Sequence, residues 1–188
     1  MEKVYKKNIR TIGIDDAYSE NSKDAYLVGT IVRGNSLIEQ ILIRKIEIDG
    51  LDATEKLIEI INDSPKEQLK AIFLSGITFA GFNLVDIEEV YNEFKIPIIV
   101  IITKYPNFKK IEEALKKNFD DYEKRMEIIK KAGSIYKIEK IYCQIKGIEI
   151  EDAKKLIEIT RRNKVPESLR ISHLIASAIA TGKSKKKI

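Results

Sequence analysis

Two short segments, Leu69–Leu74 (LKAIFL) and Ile98–Ile102 (IIVII), are nearly continuous in apolar side chains, and they most constrain the fold. A half-buried strand alternates polar and apolar residues, whereas a strand apolar throughout needs cover on both faces, as central parallel strands between helical layers have. The neighbouring sequence supplies those layers. Asp86–Phe94 reads as a helix joining the two strands, and Leu57, Ile58 and Ile61 recur at helical spacing between an Asp52-x-x-Glu55 capping box and the breaker Ser64-Pro65. Ahead of these, NIRTIGID, AYLVGTIVRG and SLIEQILIRKIEI read as three strands with short polar breaks, which favours antiparallel neighbours. Further on, Ile111, Leu115, Phe119, Tyr122, Met126 and Ile129 follow Pro106 at steps of three and four, predicting one long amphipathic helix up to Gly133. Ile138–Ile145 predicts another strand, and Glu151–Arg162 and Pro166–Ala180 predict two closing helices.

Three antiparallel strands followed by strands alternating with helices is the order expected of a ribonuclease H-like mixed α/β sheet, with a generic α/β fold as the plainer alternative. The expected organisation is one domain over residues 1–188, with 183–188 a basic, flexible tail. The longest apolar stretch, Ile96–Ile102, is too short for a membrane span, and the start MEKVYKKN lacks the apolar segment of a signal peptide. A single cysteine, Cys143, excludes an internal disulfide, and with His173 as the only histidine it excludes a structural Cys/His zinc site. These features predict a cytoplasmic protein that does not engage membranes, with its oligomeric state left open. The formal charge of +5 and pI near 9.0 permit a polyanionic partner without requiring one.

Several residues carry chemistry in this frame, each beside an ordinary structural role. Gly13-Ile14-Asp15-Asp16 places two acids where an apolar strand ends, a costly position unless something pairs with the charge; turn chemistry also favours Asp there. Asp15 is the better metal ligand, since Asp16 faces the opposite way. Asp52 can cap its helix or point a second oxygen at a metal. Lys104, just beyond an apolar strand, can neutralise a phosphate or simply be exposed. The segment from Leu74 to Asn83 (LSGITFAGFN) follows a buried strand with two glycines, two phenylalanines and hydroxyls, and matches neither a phosphate-binding P-loop nor a dinucleotide fingerprint. Such a loop lets backbone N–H groups approach a base or phosphate. Near the end, Arg170 can meet phosphate or pair with an acid, and His173 stands as a catalyst or a hydrogen-bonded structural residue.

Together GIDDAY (13–18), VGTIVRG (28–34), DGLDATE (49–55), GITFAGFNLVDI (76–87), PIIVI (97–101) and PESLRISHLIASAI (166–179) resemble the archaeal endonuclease dU family, relatives of endonuclease V. The resemblance spans nearly the whole chain. It implies a ribonuclease H-like fold and Mg²⁺-dependent cleavage of a phosphodiester near deoxyuridine in DNA, a repair activity, with Mn²⁺ as a substitute metal. Carried over residue by residue, Asp15 and Asp52 hold the metal, and Lys104 and His173 assist the leaving group or stabilise charge. The segment with Gly76, Thr78, Phe79, Gly81, Phe82 and Asn83 receives the lesion base, and Arg170 contacts substrate. One departure stands out: endonuclease V presents an aspartate after the Leu69–Leu74 strand, where this chain has Ser75-Gly76. The alternatives are a nucleic-acid-binding module of the same fold that does not cut, and a nuclease for inosine-containing nucleic acid.

Overall fold

The structure is a computed structural model and describes residues 7–19 and 24–184. Residues 185–188 of the expected tail lie outside the described residues. One seven-stranded sheet organises the chain. Strands β1 (Arg10–Ala17), β2 (Asp24–Arg33) and β3 (Leu37–Glu47) form an antiparallel meander. Helix α1 (Ala53–Asn62) and a short 3₁₀ turn lead into β4 (Leu69–Leu74), which pairs parallel to β1. A two-residue hairpin, β5 (Thr78–Phe79) and β6 (Asn83–Leu84), precedes α2 (Ile87–Phe94) and β7 (Ile98–Ile102), which lies parallel to β4. Helices α3 (Phe108–Asn118) and α4 (Tyr122–Lys131) follow, then β8 (Tyr136–Ile138), β9 (Ile141–Lys146), α5 (Ile150–Thr160) and α6 (Glu167–Thr181). The sheet order is β3-β2-β1-β4-β7-β9-β8, so the two strands with nearly continuous apolar runs sit in its interior, as their composition requires.

The faces of the sheet carry separate cores. On one, Ile12, Ile14, Ile72, Leu74, Ile98 and Val100 pack with residues of α1 and α2. On the other, Ala71, Phe73, Ile99 and Ile101 pack with residues of α5 and α6. Strand alternation then assigns Ile12, Ile14 and Asp16 to the α1 face and Thr11, Gly13 and Asp15 to the α6 face. Gly13 is required there: a Cβ would lie 2.2 Å from the Leu169 backbone nitrogen, so α6 rests directly on the backbone of β1. The contact is reinforced by Ser172 Oγ, which donates to Gly13 O at 2.7 Å and lies 2.9 Å from Thr30 Oγ1.

Three local expectations are corrected. The single long helix is two helices, because Phe119 leaves α3 with extended φ/ψ of −137° and 125° and the Asp120-Asp121 pair starts a new helix. The turn inserts the Phe119 ring between Phe82, 5.7 Å away edge-to-face, and the Arg125 guanidinium, 4.1 Å above it. The Ile138–Ile145 strand is a hairpin of β8 and β9, antiparallel to β7. The capping box at Asp52 does not form: Asp52 has helical dihedrals and makes no side-chain cap, and the Ala53 N–H donates instead to Asn83 Oδ1 at 2.9 Å.

Candidate active site

The carboxyl-terminal ends of β1, β3, β4 and β7 share one edge of the sheet, since β1, β4 and β7 are parallel and β3 returns to the same direction after the β2 reversal. Asp15, one residue pair from the end of β1, is 7% exposed. Its Oδ1 accepts a hydrogen bond from Ser75 Oγ, the first residue after β4, and its Oδ2 lies 2.7 Å from His173 Nδ1 on α6. Nδ1 facing a carboxylate carries a proton, and the other ring nitrogen, Nε2, is buried. Asp15, Ser75 and His173 open onto a cleft of about 380 Å³ with Gly76, Thr78, Thr103 and Lys104 at its polar rim. Ile101, Val165 and Leu169 form apolar wall. Lys104 is exposed, so its ammonium is available to an anion in the cleft.

Asp16 points to the opposite face and accepts from the Ala80 N–H at 2.7 Å. Burial pushes its carboxyl up to about 6, with the Asp15 charge adding to the shift and the Ala80 N–H opposing it. Burial likewise pushes the Cys143 thiol up to about 11, so this cysteine is a packed core residue and no nucleophile.

Of the predicted site residues, Asp15, Lys104, His173, Gly76 and Thr78 border this cleft. Asp52, expected to share a metal with Asp15, stands just before α1 and is not among the residues that line the Asp15 cleft. Its Oδ1 takes hydrogen bonds from Asn83 Nδ2 at 2.5 Å and from the Glu47 N–H at 3.2 Å. Four residues of the proposed base-binding loop are also structural. Phe79 is fully buried in the α1-side core. Phe82 packs against Phe119, and Asn83 is spent on Ala53, Glu47 and Asp52. Gly81 has φ +88° and would thrust a Cβ to 2.2 Å from Asp49 Oδ1. Arg170 does not line the cleft, and its Nε and Nη2 donate to buried Glu167 at 2.7 and 2.6 Å. Thr103 and Val165 belong to the cleft and were not foreseen; the only sequence signal for Thr103 is its place between an apolar strand and Lys104.

The sequence model of the endonuclease dU family matches residues 7–180. The chain belongs to the endonuclease dU family. A UPF0215 protein of Pyrococcus horikoshii is 43% identical over 192 residues, covering 99% of this chain and all of the relative. A UPF0215 protein of Methanosarcina mazei is 46% identical over 190 residues, covering 97% and 96%. Among solved structures, a protein from Archaeoglobus fulgidus superposes with TM-score 0.87 at 43% identity, covering 93% of this chain and 99% of that one. Human ENDOV superposes with TM-score 0.62 at 11% identity, covering 93% and 85%. Endonuclease V of Ciona intestinalis, solved with a DNA containing inosine, gives 0.57 at 12%, covering 88% and 83%. The seven-stranded mixed sheet of this family member thus has the endonuclease V fold.

Proposed function

We propose that this endonuclease dU family member is a DNA endonuclease that cuts a phosphodiester near deoxyuridine, with Asp15 and His173 at its catalytic centre. The observation carrying this reading is the Asp15–His173 contact, made across 158 sequence positions in a cleft that also presents Lys104. Asp15 orients the His173 ring at the cleft wall, and the ring, when protonated, adds positive charge beside a bound phosphate. The Lys104 ammonium offsets the charge that builds on the phosphate. Ser75 holds the second carboxylate oxygen and keeps Asp15 from rotating away.

The metal expected from the family fits this cleft only as a one-carboxylate site. Among the described residues no three His, Cys, Asp or Glu side chains converge as a metal cluster, and Asp15 is the one carboxylate that lines the cleft. Mg²⁺ commonly takes one or two carboxylates and completes its shell with water and substrate phosphate, so Asp15 with the Ser75 hydroxyl beside it is a sufficient protein share. A bound Mg²⁺, or Mn²⁺ in its place, would polarise the phosphate.

The same single-carboxylate arrangement favours a second reading, a nucleic-acid-binding module that does not cut. The test is incubation of matched duplexes containing uracil, hypoxanthine or no lesion, with Mg²⁺ or chelator, using the native chain and Asp15→Asn. Metal-dependent nicking at uracil is expected, with a loss of about 10²–10⁴-fold in the variant at unchanged melting temperature. DNA binding without nicking by the native chain selects the second reading.

A further inference from the structure

The segment Gly76–Thr78 has two sides. One borders the Asp15 cleft on the α6 face. The other closes a separate cavity of about 120 Å³ on the α1 face, and the two spaces share Gly76, Thr78 and Ile102 as a common wall. The outer wall of the small cavity is the α3–α4 hairpin, contributing Phe108, Ile111 and Ile129, and its floor is Gln144 on β9. This volume is well below the roughly 300–1,000 Å³ of sites for drug-sized ligands, so it suits one ring, not a whole nucleotide or a fused purine.

Its polar groups are few and directional. Gln144 is 3% exposed, and its Nε2 donates to Gly133 O at 3.0 Å, which fixes the amide. Among the described residues nothing donates to Gln144 Oε1, and the Thr78 hydroxyl has no hydrogen-bond partner. Gln144 Oε1 is an accessible acceptor lining an otherwise apolar slot, where it can take a donor that a ligand brings. At the mouth, Phe108 is 40% exposed, and Tyr105 stands edge-to-face with both Phe108, at 6.4 Å, and Tyr142, at 5.4 Å.

We propose that this cavity receives the extrahelical uracil while its phosphate lies over the shared rim in the Asp15 cleft. The assignment rests on the uracil-directed reading above and names the residues that read the base. Uracil brings an N3–H to Gln144 Oε1, where cytosine presents a lone pair, and its ring edge meets the Thr78 hydroxyl. Thymine carries an additional methyl that the Ile111 and Ile129 side chains leave no room for. Phe108 covers the inserted ring, with Tyr105 behind it; the aromatics that meet the base therefore come from the segment after Lys104, not from Phe79 or Phe82.

The test measures binding in chelator and nicking in Mg²⁺, using duplexes with uracil, 5-fluorouracil, thymine or 5-iodouracil opposite guanine. The native chain should favour uracil and 5-fluorouracil at least tenfold over thymine and reject 5-iodouracil further. Ile111→Ala should narrow the uracil-to-thymine ratio at least fivefold, and Gln144→Met should lower uracil affinity at least tenfold, each with its melting curve recorded. A native chain without uracil preference removes the proposed function itself. A native chain with that preference, and folded variants that keep it unchanged, leaves the function standing and overturns the cavity assignment. Should a variant fail to fold, the native series decides: affinity that is indifferent to the size of the 5-substituent overturns the proposal, and a stepwise fall supports it.

Discussion

Asp15 is held by two donors that arrive from distant parts of the chain, Ser75 after β4 and His173 on α6. The acid was legible in the sequence because a carboxylate ending an apolar strand needs a partner. Its partners were not, since neither spacing nor periodicity relates position 15 to position 173. Ser75 was legible only as a departure from the acid that endonuclease V carries there, whereas in the fold it is a donor. Replacing it therefore tests the metal directly. In Ser75→Asp a second carboxylate faces Asp15 without a shared proton donor, and because position 75 is exposed the expected cost is about 1 kcal/mol in chelator. Mg²⁺ binding between the two acids should recover much of that loss, so denaturant titrations with and without Mg²⁺ should differ more for the variant than for the native chain. Equal metal effects on both proteins would remove Asp15 as a ligand.

Elements were legible where the local apolar pattern decides them, by continuous runs in β4 and β7 and by spacing in α1 and the meander β1–β3. Periodicity failed across α3 and α4, where the apolar spacing continues through a turn: the pattern records which residues face inward, and Phe119 faces inward from an extended backbone. It failed again at α1, whose cap arrives thirty residues later from Asn83. Asn83 is fully buried, with its oxygen on the Ala53 N–H and its nitrogen on Glu47 O and Asp52. Asn83→Ala leaves these groups unpaired and should destabilise the fold by about 2–4 kcal/mol in urea unfolding, with the uracil preference of the surviving folded protein retained. On the other edge, β3 carries a bulge opposite Ile31 and Val32, and its extra residue, Glu39, bonds Arg10 and Arg33. The Arg10 guanidinium, aided by Arg33, holds the Glu39 carboxyl below its ordinary 4.5. A lowered folded-state value adds stability above the unfolded value and loses it as pH falls. Glu39→Gln should thus cost about 1 kcal/mol at pH 7, modest because Arg33 is partly exposed, and much less at pH 3.

At the scale of the whole molecule, the net charge is +5, and Lys104 is the cation that borders the cleft. If it contacts a phosphate, Lys104→Ala should weaken binding to damaged and undamaged DNA alike and reduce the slope of log affinity against log salt by about 1. An unchanged slope would mean that Lys104 points into water throughout. No helix among the described residues is long and apolar enough to cross a membrane. The direct seating of α6 on Gly13 has a consequence in measurement. From that contact, β1 advances two residues to Asp15, about 6.6 Å, while α6 advances one turn from Leu169 to His173, about 6 Å. The two rulers run the same way and agree to within a bond's slack, like the marks of a vernier. A slip of one residue in β1 would bring Asp16 under the histidine in place of Asp15, and a slip of one in α6 would rotate the histidine about 100° off the mark. The glycine, with nothing on its α-carbon to wedge the scales apart, is their common zero.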